Sequence, residues 1–178
     1  MHVCYRFTDT EIKKLLKENV VIIVDTREQQ NQHILDYFNV INAKYINKKL
    51  DVGDYSIKLT TREDMQIHRD MYFPISIEKK NSVDELAASI KDRHRFEAEF
   101  IRAKGSGTKM HLLVEDANGY ENILTGNYRS LYDSKALMAS LKTFESRYNF
   151  TTTYLDKKYS GDFIYRTLLY ELREFLLK

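Results

Sequence analysis

The sequence predicts an α/β domain, with a mixed central sheet flanked by helices. Three observations carry that expectation. Short β-branched apolar runs recur along the chain, and amphipathic stretches at helical spacing alternate with them. The chain also lacks internal repeats, low-complexity tracts and linkers. Pro74 is its only proline and its six glycines are scattered. A single domain over residues 1–178 is therefore expected.

Residues 8–19 read as a helix with Ile12, Leu15 and Leu16 on one face. Residues 20–24, Val-Val-Ile-Ile-Val, form a continuous apolar run that suits a strand buried on both faces, ended by Asp25. Residues 30–39 carry Ile34, Leu35 and Phe38 at helical spacing. Three strand-like stretches follow at 44–50, 55–60 and 72–79, with 61–70 as a long polar hairpin loop. Ser82 opens a helix, and Ser82-Val83-Asp84-Glu85 has the form of a capping box. Helicity continues to Lys104 with a break near Arg93. Residues 110–114 form a second buried strand. Leu137, Leu141, Phe144 and Tyr148 mark a further helix, 151–155 a short strand, and Ile164, Leu168, Leu172 and Phe175 the final helix.

Composition narrows the function classes. Hydrophobic residues make up 43% and charged residues 30%, as in a soluble globular protein. One cysteine, Cys4, excludes an intrachain disulfide and points to a reducing, intracellular and cytoplasmic setting. Residues 1–10 lack the apolar core of a signal peptide, and no apolar run reaches the ~20 residues of a membrane span. The formal net charge of +2 does not by itself argue for nucleic-acid binding, so local clustering must.

The segment Pro74-Ile-Ser-Ile-Glu-Lys-Lys80 carries the chemistry. On a strand, Ile75, Ile77 and Lys79 face one way, while Ser76, Glu78 and Lys80 face the other. A carboxylate and an ammonium on one face form the Glu-x-Lys half of a metal-dependent nuclease site. Phosphodiester hydrolysis uses a hard cation held by oxygen ligands, which polarises the phosphate and acidifies a bound water. A lysine can offset the charge developing on the phosphate. Asp54, after Gly53, opens the preceding strand and supplies the second carboxylate if the hairpin brings it beside Glu78. By itself Glu-x-Lys is equally the pattern of a solvated salt bridge. Asp25, Arg27 and Glu28 follow a buried strand, where α/β sheets collect ligand sites, though Asp25 also suits a helix cap. Asp84, in a first helical turn, is favoured there by the helix dipole whether or not it serves a metal.

Taken together, Val-Asp25-Thr-Arg27-Glu28, Gly53-Asp54-Tyr, and Glu78-Lys79-Lys80 followed three residues later by Asp84 resemble the nuclease domain of the XPF family. Ser89-Ile90-Lys91-Asp92-Arg93 matches its continuation, and the resemblance covers about residues 20–115. It implies a restriction-endonuclease-like fold and Mg2+- or Mn2+-dependent cutting of branched or flapped DNA. It further implies Asp54 and Glu78 as metal ligands, Lys80 as the catalytic lysine, and Asp25, Glu28 and Asp84 around the metal. Asp25 is expected as a third ligand. Arg27 and Arg93 would approach the phosphate backbone. Lys79 stands where the family signature has arginine, and the gap from Asp54 to Glu78 is long. Beside that resemblance, the sequence is expected to lack the tandem helix-hairpin-helix module of many members.

Lys79, Lys91, Arg93 and Arg95 form the expected DNA-binding cluster, although Asp92, Glu97 and Glu99 are interleaved with it. The last helix has a wide apolar face that suits core packing, with a homodimer interface as the alternative. The leading expectation is an endonuclease on structured DNA. The alternatives are a Holliday-junction resolvase or single-strand nuclease of the same fold, and a catalytically silent DNA-binding partner subunit.

Overall fold

The computed structural model describes residues 6–178. Cys4 and the first half of the segment read as leaderless lie outside the described residues. The elements in chain order are α1 (Asp9–Glu18), β1 (Val20–Val24), α2 (Gln32–Val40), β2 (Tyr45–Asn47) and β3 (Tyr55–Leu59). Next come β4 (Met71–Tyr72), β5 (Ile75–Lys80), α3 (Val83–Lys91), α4 (Arg93–Gly105) and β6 (Lys109–Val114). The chain finishes with α5 (Gly119–Thr125), α6 (Ser134–Tyr148), β7 (Thr151–Tyr154) and α7 (Ser160–Leu176).

The strands form one mixed sheet in the order β2-β1-β3-β5-β6-β7, with β4 paired to β3. β1 runs parallel to β2 and antiparallel to β3, whereas β5, β6 and β7 are mutually parallel. One face of the sheet packs under α1, α2 and α7, through Leu15, Phe38, Ile77 and Leu168. The other packs under α3 to α6, through Leu86, Phe100, Leu112 and Phe144. α7 thus completes a core that begins with α1: Ile164, Leu168 and Leu172 have no exposed surface.

Most elements follow their local chemistry. α1 starts with a full capping box, Thr8 accepting from the Glu11 amide while the Glu11 carboxylate accepts from the Thr8 amide. At α3 the expected box is only half made. Ser82 Oγ accepts from the Glu85 amide, but the Glu85 carboxylate reaches one residue further back, to the amide and side chain of Asn81. The break expected near Arg93 falls at Asp92, whose ψ of 63° separates α3 from α4.

Three expected strands are shorter than the sequence suggested. The 44–50 stretch pairs only over Tyr45–Asn47, because Leu50 turns away to donate its amide to buried Asp25. Pro74, which has no amide to donate, divides the 72–79 stretch into β4 and β5. β3 runs only to Leu59. The polar 61–70 segment is a compact excursion, not a solvated loop. Arg62 and Ile67 form a bridge across it, and Met65 and Ile67 enter the core. Arg62 pins it to Glu18 and Asn19. α5 was not foreseen.

A candidate nuclease active site

β5 is the strand on which the site depends. Its Tyr55↔Ile77 pairing with β3 and its six paired positions along β6 fix the alternation of its side chains. Ile75 and Ile77 enter the first core with Lys79 on their face, while Ser76, Glu78 and Lys80 face α3 and α4. Asp54 stands just before β3. Its amide donates to the Ile77 carbonyl at 2.8 Å, and its carboxylate accepts from the Lys79 amide at 2.8 Å. The turn leading to it needs Gly53, which sits at φ +69° and packs against Ser76, with the Ile77 carbonyl 3.1 Å from where a Cβ would lie.

Lys80 Nζ lies 2.6 Å from Glu78 Oε1. A cleft of about 330 Å³ opens over this pair, lined by Glu85, Ser89, Asp92, Arg95 and Glu99. Glu99 comes from α4. Its carboxylate accepts from the Gly53 amide at 2.7 Å and so ties the helix to the Asp54 turn. α4 is held in turn by ring packing of Phe96 and Phe100 against Phe144 and Phe150.

The electrostatics are strained toward protonation. Burial pushes the Asp54 carboxyl up to about 7; the Lys79 amide and Lys80 oppose this, while the negative charges of Glu28 and Glu99 add to it. Burial, and next the charge of Asp54, push Glu78 well above the ordinary carboxylate range. Burial acts to lower Lys80, but Glu78 and Asp54 hold it above its ordinary value. Two carboxylates, Asp54 and Glu78, thus converge on one ammonium. Among the described residues no three acidic, histidine or cysteine side chains form a ready-made cation cage. Mg2+ commonly uses one or two carboxylates and completes its shell with water and substrate phosphate, and the Asp54–Glu78 donor set suits that pattern.

The other sequence-predicted residues go elsewhere. Asp25 is buried, and both its oxygens are engaged by Arg27 and the Leu50 amide. Burial alone would raise its pKa, but the Arg27 guanidinium and these amides hold it below the ordinary value. Asp25 therefore fastens the loop after β1 to the loop after β2. Arg27, engaged by Asp25, still shows 60% of its side chain to solvent. The Asp84 carboxylate accepts from the Arg129 and Ser130 amides and pairs with Arg129, which caps a loop before α6. Glu28 lies 3.6 Å from Lys79 Nζ, and its charge reaches Asp54.

Lys79 is a correction. It was expected on the DNA-binding surface, yet its side chain has no solvent exposure. Strand alternation turns it into the sheet's other face, where Nζ donates to Asn81 Oδ1 at 2.6 Å and lies 3.9 Å from Glu115. Arg93 pairs with Glu97 and lies over the Phe144 ring, away from the cleft lining. Arg95 lines the cleft, and Lys91 is exposed at the end of α3.

Two groups escaped sequence reasoning. Glu99 was legible only as an acid interleaved among bases, although Arg95, Glu99 and Arg102 share one helical face by spacing. Glu115, with His33 at 2.5 Å, left no local signal, because its partner is 82 residues away.

The fold is a mixed α/β sheet between two layers of helices, and two carboxylates and a lysine gather beside β5. The chain belongs to the ERCC4 domain family, whose model matches residues 24–167, well beyond the 20–115 stretch legible by eye. Its structure is similar to XPF from Aeropyrum pernix, with a TM-score of 0.59 and 20% identity over 87% of this chain and 69% of that one. The same archaeal protein in complex with DNA matches with a TM-score of 0.59 and 19% identity, over 86% and 65% of the two chains. No curated protein sequence matches this one. The fold is accordingly restriction-endonuclease-like, as expected. Among the described residues no helix is long and apolar enough to cross a membrane.

Proposed function

We propose that the protein is a Mg2+- or Mn2+-dependent endonuclease that hydrolyses phosphodiester bonds in structured DNA, of branched or flapped form, inside the cell. One observation carries this reading: Glu78 and Lys80 line an open cleft 2.6 Å from one another, and Asp54, held by the Lys79 amide, brings a second carboxylate whose charge reaches Glu78. A divalent cation bound there would polarise the scissile phosphate and lower the pKa of an attacking water. Asp54 and Glu78 would hold it, and its double positive charge would relieve their mutual repulsion. Lys80, released from Glu78, stabilises the charge growing on the phosphate as the P–O bond to the leaving oxygen breaks. Glu99 fixes the Asp54 turn. Arg95 and Lys91 hold the DNA backbone beside the cleft. Glu28 acts on Asp54 through its charge, whereas Asp25 and Asp84 support the frame.

The DNA complex of the archaeal relative supports DNA as the partner. Exposed Tyr170 and Phe175 on α7, with Leu177 just past its end, support pairing of two copies of the chain.

The test compares flap, fork, four-way junction, single-stranded and duplex DNA with Mg2+ or Mn2+. Cutting is expected on the branched forms, lost with EDTA, and nearly abolished in Asp54→Ala, Glu78→Ala and Lys80→Ala. Variants that cut like the parent would overturn the assignment. Binding without cutting on every substrate would make the chain a silent DNA-binding partner instead.

A further inference from the structure

Asn81 is the first residue past β5, and its side chain links the two faces of the sheet. Strand alternation puts it on the side of Lys79, opposite Lys80. Its Oδ1 accepts from Lys79 Nζ at 2.6 Å, and its Nδ2 donates to Glu85 Oε2 at 2.7 Å. Its backbone amide donates to the same oxygen at 2.8 Å. An ammonium only donates and a carboxylate only accepts, so these two neighbours fix which way the Asn81 amide points. The far end of this link is rigid. The Lys79 side chain has no solvent exposure, donates also to the Gln30 carbonyl at 3.3 Å, and lies 3.6 Å from Glu28 and 3.9 Å from Glu115.

The near end of the link reaches the cleft. Glu85 and Lys80 line it together, and the charge of Glu85 reaches Lys80. Lys80 nevertheless bonds to Glu78, at 2.6 Å. A cation on Glu78 would claim the charge of that partner and set the ammonium free. Two acceptors would then compete for it, the scissile phosphate and Glu85. An ammonium captured by Glu85 is lost to the charge developing on the phosphate.

We infer that Asn81 is a positioning residue for cleavage: by tying the Glu85 carboxylate to the end of β5, it keeps that acid from drawing Lys80 away from the substrate phosphate. Glu85 is then a competitor under restraint. This deepens the nuclease reading and rests on it.

The experiment uses the full chain, saturating Mg2+ and the DNA form that the parent cuts best, with single-turnover rate and DNA affinity measured separately. Asn81→Ala removes one of the two donors to Glu85 and should slow cleavage about tenfold at unchanged DNA affinity. Asn81→Asp keeps an acceptor for Lys79 but sets a second negative charge against Glu85, and should slow cleavage further. In the Glu85→Gln background no carboxylate competes, and there both losses should shrink to about threefold or less. A residue that only supports the fold would give the same loss in both backgrounds, because Glu85→Gln cannot return to Asn81→Ala the side-chain hydrogen bond it lacks. Thermal melting checks the folding of each variant. Asn81→Asp should hold its midpoint, since Lys79 keeps its partner, and it carries the test if Asn81→Ala melts early. Rates unmoved by either substitution, or losses of equal size in the two backgrounds, would overturn the role of Asn81 and leave the nuclease reading in place. A parent that cuts no DNA form would overturn both.

Discussion

Replacing Asp54 by asparagine should stabilise the cation-free protein at pH 8 while abolishing its cutting. The Asp54 carboxyl titrates at about 7 in the fold, against 3.8 for an unperturbed aspartate. The shift of about three pK units corresponds to roughly 4 kcal/mol at ~1.4 kcal/mol per unit. Asparagine also loses the charge that strengthens the hydrogen bond from the Lys79 amide, so ~2–4 kcal/mol is the expected net gain. The sign follows from proton binding. Between pH 4 and 7 the native state holds a proton that the unfolded chain has released, so stability is fully present below pH 4 and lost as pH rises through 7. At pH 8 the parent bears the whole penalty. Asparagine bears none, and its side-chain oxygen can still accept from the Lys79 amide. Differential scanning calorimetry in EDTA should show Tm of the variant above the parent by roughly 5–15 °C at pH 8. The gap should close toward pH 4. Added Mg2+ or Mn2+ should raise the parent selectively, since binding to the native state alone stabilises it. A variant less stable than the parent at pH 8, or a gap that ignores pH, would refute the strained-carboxylate account.

Lys80→Ala should slow single-turnover cleavage about 10²–10³-fold with little change in DNA affinity, a split that binding and quench-flow measurements resolve. Lys79→Met should leave Glu28 and Glu115 buried without their ammonium and cost ~3–5 kcal/mol, read as a fall in denaturation midpoint. Arg95→Ala on the cleft wall should leave the midpoint unchanged, weaken DNA binding and reduce the slope of log K against log salt by about 1. Gly53→Ala should destabilise by about 2 kcal/mol or more, because φ +69° disfavours an L side chain and Ser76 occupies the space.

Short-range pattern made the fold legible. The β1 run, the period-two alternation of β5 and the helical spacing of α3, α4, α6 and α7 all point to the elements the structure contains. Misjudged boundaries lie where a distant partner intervenes. Asp25 draws the Leu50 amide away from β2, and the core draws Met65 and Ile67 out of a polar segment. The site divides the same way. Alternation puts Glu78 and Lys80 on one face, but only the pairing of β3 with β5 brings Asp54 to them. The same alternation forbids Lys79 from sharing that face, and a charge-cluster reading overlooked this. Glu99 and Glu115 acquire their meaning only across 46 and 82 residues of intervening chain, respectively.

The six paired positions between β5 and β6 bear on how the gene can tolerate change. β5 meets β3 at one pair, so the length of the 61–70 excursion has little hold on which way Glu78 points. Insertions at its exposed end, beside His68 and Arg69, should be neutral to activity, whereas deletions that remove Met65 or Ile67 would cost core packing. A single residue added between Pro74 and Ile77 is a different event. With β6 still holding the far end in register, it would displace or bulge the near end away from the Asp54 turn. If the whole strand slipped instead, the positions of Lys79 and Lys80 would exchange faces. The site is therefore indifferent to the length of the chain leading into β5 and intolerant of a one-residue frame error within it.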